Sequence, residues 1–537
     1  MSPILNVVVV SFHHKRGCEV EYSNPKLDGK GEGGLPEEWA HLPSLALPDG
    51  VHNLKQDVIF FSLPSRTEPG KCVFGISCYR QIDSTELISR PEDVTRCSVQ
   101  KSVCVISKIP LFGGLKAKLE VITQAYFEQR DFGQIDVLNQ MYDNLHDMFN
   151  EQMSSEQNVG LAYHEISVQD LFIRFRHRAL MLFKLVLLER KVLFFGSNGQ
   201  TIGETMLALV SMFPNLLEEG LFYSSCTLQD VKDTEKTSKP STSTADTEKF
   251  EVDYSENKES KEPAVEEIFV QEDIGSGWLK KDPIKKRDSF GFPLSIFTQN
   301  AYFDPYLSIS FLDVLTTVRS CVVGATNALF AMKKGIFDVV VKFEDDGTTI
   351  HQHVEVLTPD LDRLLALTTQ DLRFADFILR HVEEQRRSST AGYDGGDEWI
   401  RTQMRDYLLS LVATARADLQ TSVPQFGLPF VTAWRHTRNY RIWLAETHKD
   451  LASVAPGHFF SEQLGVYDMY LRLDHAVHGV EGASKVLEAV NTTGKNIGNT
   501  IGETGSRVKN KLANWWRGRG TANQDGEDAA EAQMDKH

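Results

Sequence analysis

The sequence predicts a multidomain α/β protein, and three observations carry that prediction. The chain has 537 residues, more than one compact core accommodates, so a division into about two to four domains is expected. Hydrophobic residues make up 41% and aromatics 10% of it, enough to fill several globular interiors. Around residues 174–196 the hydrophobic period changes. Phe172, Phe175, Ala179, Leu182, Phe183 and Val186 recur at helical spacing, and after Glu189-Arg190-Lys191 the run Val192-Leu193-Phe194-Phe195 reads as a buried strand. A helix feeding a central strand is the expected hub. Lys184, Glu189, Arg190 and Lys191 interrupt the apolar run short of the ~20 residues that a membrane span needs.

In chain order, residues 4–10 form an aliphatic strand, and residues 18–22 return as its hairpin partner across the polar loop at 13–17. Residues 58–63, 73–79 and 99–108 are further strands, rich in β-branched and aromatic side chains and bounded by Pro or Gly. Two helices follow, with faces Leu115, Leu119, Ile122, Tyr126 and Ile135, Leu138, Tyr142, Leu145, Phe149. This sheet with two helices makes an N-terminal lobe over 1–158. A second lobe over 160–390 opens with the hub. Turn residues at 196–199 precede a helix in which Thr201 and Glu204 read as a capping box, carrying Ile202, Met206, Leu209, Val210 and Phe213 and ending at Pro214.

Residues 227–286 are dominated by Ser, Thr, Lys, Asp and Glu. With few apolar anchors they cannot offset the entropy of ordering, so an acidic disordered insertion is expected. Folded sequence resumes near Phe292, and residues 319–325 read as another buried strand. Thr368 with Asp371 starts a helix with the stripe Leu372, Ala375, Ile378, Leu379, Val382; Trp399, Met404, Leu408, Leu411 and Ala415 mark a second helix, and residues 430–443 a third. Residues 391–475 are thus helical.

Residues 484–519 carry a pattern of their own. Val486, Ile497 and Val508 are spaced by eleven, as are Val490, Ile501 and Leu512, with Trp515 and Trp516 beyond. An eleven-residue repeat keeps those side chains aligned on a nearly straight helix. Lys485, Lys495, Arg507, Lys509, Lys511, Arg517 and Arg519 outnumber Glu488 and Glu503. A lipid-surface amphipathic helix is expected, with docking on the chain's own lobes as the alternative. Gly494, Gly498, Gly502 and Gly505 each disfavour helix by about 1 kcal/mol, so the free segment is expected to be largely unfolded. An acidic disordered tail occupies 520–537.

The net charge of −17 excludes a general nucleic-acid binder. No early basic-then-apolar segment with a cleavage site is present, which leads to the expectation of a cytoplasmic chain without a transmembrane span. Seven cysteines, with no CxxC pair, suit reduced thiols. The Asn491-Thr492-Thr493 sequon is then inert. No P-loop, GxSxG elbow, dinucleotide fingerprint or HExxH helix occurs. His13-His14 and His351-Gln352-His353 lack further ligands at metal spacing. Neither a metal nor a cofactor is expected. Asp397 and Glu398, though paired acids, fit helix capping and first-turn placement.

Several long phrases together resemble the Avl-type late secretory pathway proteins, which carry a tripartite DENN module. They are NVVVVSFHHKRGCEVEYSNP from Asn6, LPEEWAHLPSLALPDGVHN from Leu35, VFGISCYRQI from Val73 and VTRCSVQKSVCVISKIPLF from Val94. LLERKVLF in the hub, GATNALF from Gly324, TTQDLRFADFILRHV from Thr368, GGDEWIR from Gly395 and FVTAWRHTRNYRIW from Phe430 continue them. The resemblance covers most of residues 1–475 and implies a longin-like N-terminal lobe, an α/β central lobe and a helical C-terminal portion. It further implies a regulator of traffic in the late secretory or recycling pathway that binds a Rab-type small GTPase and promotes GDP release, peripherally attached to Golgi-derived vesicles or recycling endosomes. A non-catalytic adaptor on the same lobes is the alternative. Arg373, Asp376, Asp397 and Arg401, on polar faces of family-like phrases, are the candidate GTPase contacts, with intramolecular salt bridges as the competing role. Val486, Val490, Ile497, Ile501, Val508, Leu512, Trp515 and Trp516 are the candidate contacts to an anionic membrane surface.

Overall fold

The computed structural model describes residues 2–29, 34–50, 53–89, 97–149, 162–224, 282–333, 335–345, 350–388, 392–461 and residue 471. The fold is mixed α/β and contains two sheets. The chain divides into two compact units, one made of 1–166, 189–350 and 436–448, the other of 167–188, 351–435 and 449–537. The hub therefore serves both, its helical part belonging to the second unit and its strand to the first.

The first unit begins with an antiparallel sheet of β1 (Ile4–His13), β2 (Gly17–Asn24), β3 (Gln56–Pro64), β4 (Cys72–Asp83) and β5 (Ser98–Ser107), in the order β2-β1-β5-β4-β3. The β1–β2 hairpin pairs Val7 with Asn24 and His13 with Gly17, as the sequence predicts. Val7, Val8, Val9 and Val10 are all buried. Burial on both faces explains why β1 reads as a continuous aliphatic run and not as an alternating one. The helices α2 (Phe112–Glu128) and α3 (Asp136–Met148) pack on β4, β5 and β1; a short α1 (Leu42–Ala46) lies in the β2–β3 connection. Leu115, Leu119, Tyr126, Leu138, Leu145 and Phe149 of the predicted faces are buried.

The second sheet is parallel in this unit. Its strands β6 (Lys191–Gly196), β7 (Ala301–Asp304), β8 (Ser320–Ala325) and β9 (Val339–Asp345) run in the order β9-β6-β8-β7. The hub strand β6 is flanked on both sides, with Val192, Leu193 and Phe194 buried. The short helices α7 (Val314–Thr317) and α8 (Ala328–Met332) precede and follow β8, and β10 (Ile350–Val356) takes the chain out of the unit.

After β6 the chain forms α6 (Gly199–Ser211), which buries Ile202, Met206, Leu209 and Val210 and packs on β3, β6 and β8. Its start differs from the predicted Thr201–Glu204 box. Asn198 is the cap, accepting from the Thr201 N–H at 2.7 Å. The Asp57 carboxylate of β3 accepts from the N–H groups of Gly199 at 2.8 Å and Gln200 at 3.0 Å. Glu204 instead pairs with Lys116 at 2.6 Å. With Asn198 as the cap and a tertiary acceptor beside it, the helix begins three residues earlier than the box predicts. Burial pushes the Asp57 carboxyl up to about 6 against these donors.

The second unit contains α4 (Val168–Phe175), α5 (Arg178–Leu187), α9 (Pro359–Leu365), α10 (Thr369–Arg387), α11 (Asp397–Ala417) and α12 (Leu428–Arg435). The hub helix is split in two at Arg176, which has φ 50° and ψ −130°. This is close to the first central position of a type II′ turn, where glycine is favoured. The Thr368–Asp371 box forms as predicted, with both reciprocal bonds. α11 buries Trp399, Met404, Leu408, Leu411 and Ala415.

The helix predicted over 430–443 also breaks, into α12 and α13 (Arg438–Ala445), the latter in the first unit. Thr437 is the N-cap residue of α13, and the N–H groups of Arg438 and Asn439 each donate to the Glu189 carboxylate at 3.0 Å. Glu189 also pairs with Arg319. The insertion lies outside the described residues up to 281. At its end Asp282 and Ile284 are already buried, and the Ser295 hydroxyl donates to Asp282 at 2.9 Å. Residues 484–537 lie outside the described residues.

Asp57→Ala strips the acceptor from two buried N–H groups at the start of α6. It should lower unfolding stability by about 1–2 kcal/mol, measured by urea denaturation, while Asp57→Asn, which keeps one acceptor, should lose less.

Candidate functional site

The four candidate GTPase contacts fall on two neighbouring helices of the second unit. Arg373 and Asp376 are on α10; Asp397 and Arg401 are at the start of α11. Ring contacts tie the helices together, with Phe377 5.6 Å and His381 5.0 Å from Trp399. All four residues are half-buried. Arg373 Nη1 donates to the Phe460 carbonyl at 3.0 Å. Asp376 pairs with Arg380 one turn on, Nε to Oδ2 2.6 Å. Asp397 Oδ1 accepts from the Gln169 N–H at 2.8 Å, so it caps α4 and not its own helix, whose N-cap is Gly396 without a side-chain bond.

Beneath this surface lies a set of residues that sequence reasoning did not bring together. Lys184 of α5 is fully buried, and its Nζ donates to Asp371 Oδ2 at 2.6 Å and to the Phe426 carbonyl at 3.0 Å. It also sits 4.7 Å from the Phe430 ring centroid. The Tyr407 hydroxyl of α11 donates to Asp371 Oδ1 at 2.8 Å, and the Thr368 N–H donates to Oδ2 at 3.0 Å. One carboxylate therefore caps α10 and joins it to α5 and α11. The signal was available as a lysine inside an apolar helical stripe, since a buried ammonium requires an acceptor.

His458 completes the group. It is fully buried; its Nδ1 accepts from the Phe460 N–H at 3.0 Å, and its Nε2 stands 3.7 Å from Asp371 Oδ1. Burial lowers its pKa to about 4, with Lys184 and Arg373 acting in the same direction and Asp371 opposing. The imidazole is therefore neutral at pH 7. The Tyr407 hydroxyl is pushed well above its usual value by burial and by Asp371. This arrangement offers no exposed acid, base or nucleophile. It makes a stiff support for the outer faces of α10 and α11.

No group of three metal-ligating side chains occurs among the described residues. His13 and His14 stack at 4.8 Å, and His13 Nδ1 accepts from the N–H groups of Lys15 and Arg16 in the β1–β2 turn. Cys72 and Cys104 are fully buried and their thiols are pushed up to about 12. No helix among the described residues is long and apolar enough to cross a membrane. The candidate membrane contacts from Val486 to Trp516 lie outside the described residues.

A family model described as transport protein Avl9 matches residues 4–415. The chain belongs to the Avl9 family. The Avl9 match includes all four candidate contacts together with Lys184, Asp371 and Tyr407, while His458 lies beyond it. Among Avl9 relatives, the late secretory pathway protein avl9 of Schizosaccharomyces pombe is 30% identical over 472 residues, covering 84% of this chain and 88% of that protein. The late secretory pathway protein AVL9 of Saccharomyces cerevisiae is 26% identical over 500 residues, covering 84% of this chain and 60% of that protein.

Removing one partner of a buried ion pair leaves the other charge uncompensated. Lys184→Met should cost about 3–5 kcal/mol, read as a drop in the denaturation midpoint of the second unit. His458 gives a pH dependence of known sign. Its pKa is lowered from 6.5 to about 4, so between those values the unfolded chain binds more protons than the folded one. Stability present above pH 6.5 is then lost as pH falls towards 4. Unfolding midpoints at several pH values across that window should fall more steeply for the natural chain than for His458→Gln; equal slopes would remove His458 from the account.

Proposed function

We propose that this Avl9-family chain is a DENN-module regulator of vesicle traffic in the late secretory or recycling pathway, acting as an exchange factor for a Rab-type small GTPase. The observation that carries this reading is the extent of the family match, residues 4–415, together with relatives named for the late secretory pathway. In this reading residues 1–158 are the longin-like lobe, 160–390 the central α/β lobe with its acidic insertion, and 391–475 the helical portion.

An exchange factor breaks no covalent bond. It binds the nucleotide-free GTPase more tightly than the loaded one, and the difference in affinity expels the nucleotide. What it needs is a shaped surface held stiffly, and the Lys184–Asp371–Tyr407 group supplies such a base under α10 and α11. The start of α6 supports a binding role in another way. A helix following a parallel strand is a common phosphate cradle, and here Asp57 already fills it.

Arg373, Asp376, Asp397 and Arg401 are the proposed GTPase contacts. Asp397 also caps α4, so its reversal mixes two effects, and Asp376 and Arg401 are the better positions to change. The stripe from Val486 to Trp516 attaches the protein to the anionic surface of Golgi-derived vesicles or recycling endosomes.

Binding and GDP-release assays across a panel of Rab proteins decide the matter. One Rab should bind on the order of 5–150-fold more tightly when nucleotide-free than when loaded, and Asp376→Arg or Arg401→Glu should weaken that binding. Preference for the GTP-loaded form would instead make the protein an adaptor.

A further inference from the structure

The corner between α4 and α5 is built from the sequence Arg174-Phe175-Arg176-His177-Arg178. Its neighbour on α10 adds Arg386 and Arg387. The carboxylates within reach are already engaged. Asp170 pairs with Arg386, and Glu383 serves Arg387 at 2.9 Å and Arg176 at 3.9 Å. Among the described residues two acids thus pair within a group of five arginines, and adding the exposed Glu384 still leaves the cations in excess.

Within that group, no hydrogen bond or ion pair engages the guanidinium of Arg174 or Arg178 among the described residues. Arg178 is half-buried, and burial alone lowers its pKa, with no carboxylate acting against it. A partly desolvated guanidinium without an acceptor is costly to keep. Next to Arg174 on α4, Ile173 is among the exposed large apolar side chains. The backbone of Arg176, at φ 50° and ψ −130°, is strained for a residue with a side chain, and such strain collects where a surface has a use.

We infer that the α4–α5 corner, with the end of α10, is a docking surface for the phosphate headgroups of an anionic bilayer. Arginine forks match phosphate oxygens in pairs, and an apolar side chain among cations suits the headgroup–acyl boundary. A chain of net charge −17 is repelled by such a surface, so approach requires a local cationic face. Stable attachment generally needs two weak signals in combination. This surface is the second, added to the stripe in 484–519; it shares with that reading only the premise that the protein works at a membrane.

Co-sedimentation of the full-length protein with phosphatidylcholine vesicles, with and without phosphatidylserine, tests it. Arg174→Gln/Arg178→Gln should lower partition onto the anionic vesicles on the order of 30-fold, from about 1 kcal/mol per arginine. It should also flatten the salt dependence and leave the melting temperature unchanged. Ile497→Asp/Ile501→Asp separates the two signals: its failure to reduce binding would count against the stripe and not against the corner. In that background, weaker but salt-sensitive binding to phosphatidylserine vesicles should persist at high lipid concentration, and its absence there overturns the corner, even where the arginine variant fails to fold. Unchanged partition of a folded Arg174→Gln/Arg178→Gln protein overturns it too. So would loss of binding to a soluble glutamate-rich peptide with vesicle binding intact, since the surface would then face a protein.

Discussion

A helix that starts inside a protein leaves N–H groups that cannot reach water, and this fold depends on finding acceptors for them. It finds them in carboxylates distant in sequence. Asp57 of β3 serves α6, Glu189 serves α13, and Asp397 serves α4. Asp371 serves its own helix and in addition takes Lys184 and the Tyr407 hydroxyl. Each of these contacts does two things at once, satisfying polar groups that would otherwise be orphaned and fixing one helix against another element. The apolar stripes decide which faces are buried. The acids decide where each helix begins and what it is docked on.

That division also explains what could be read from the sequence. Strands buried on both faces, such as β1 and β6, announce themselves as aliphatic runs, and the stripes of α10 and α11 appear at their helical spacing. The Thr368–Asp371 box was legible because both partners are local. Thr201 and Glu204 fit the same local pattern and failed, because Asp57, more than a hundred positions upstream, holds the helix start. The breaks at Arg176 and between Arg435 and Arg438 carry no Gly or Pro to mark them. At the second of them a tertiary contact holds the new helix start, through Glu189. Lys184 was visible as an oddity, but its acceptor lies 187 positions away, and nothing in its own neighbourhood points there.

For the candidate site the same rule applies with more force. Arg373, Asp376, Asp397 and Arg401 lie on polar faces of family-like phrases. Arg373 and Asp397 have partners that no spacing in the sequence encodes, whereas Asp376 pairs with Arg380 at the i,i+4 spacing of its own helix. A residue can hold a helix in place and still present its remaining valence outward, which is why Asp376, paired with Arg380 on its own helix, differs in kind from Asp397, which caps α4 from the start of α11. Arg174 and Arg178, whose guanidinium groups find no acceptor among the described residues, point to function by the opposite logic, through an unmet need.

Glu189 and α13 also set a schedule. The carboxylate and the N–H groups that it accepts from are separated by 249 and 250 positions, and the whole 351–435 part of the other unit is encoded between them. On a ribosome adding roughly 5–20 residues per second, about 10–50 s separate the synthesis of Glu189 from that of the α13 N–H groups that it accepts from. During that interval the surface that α13 will cover, including Phe290, whose carbonyl accepts from Trp443, is open to chaperones. A chain ending before residue 438 would carry the first unit's two sheets with the face that α13 covers still open.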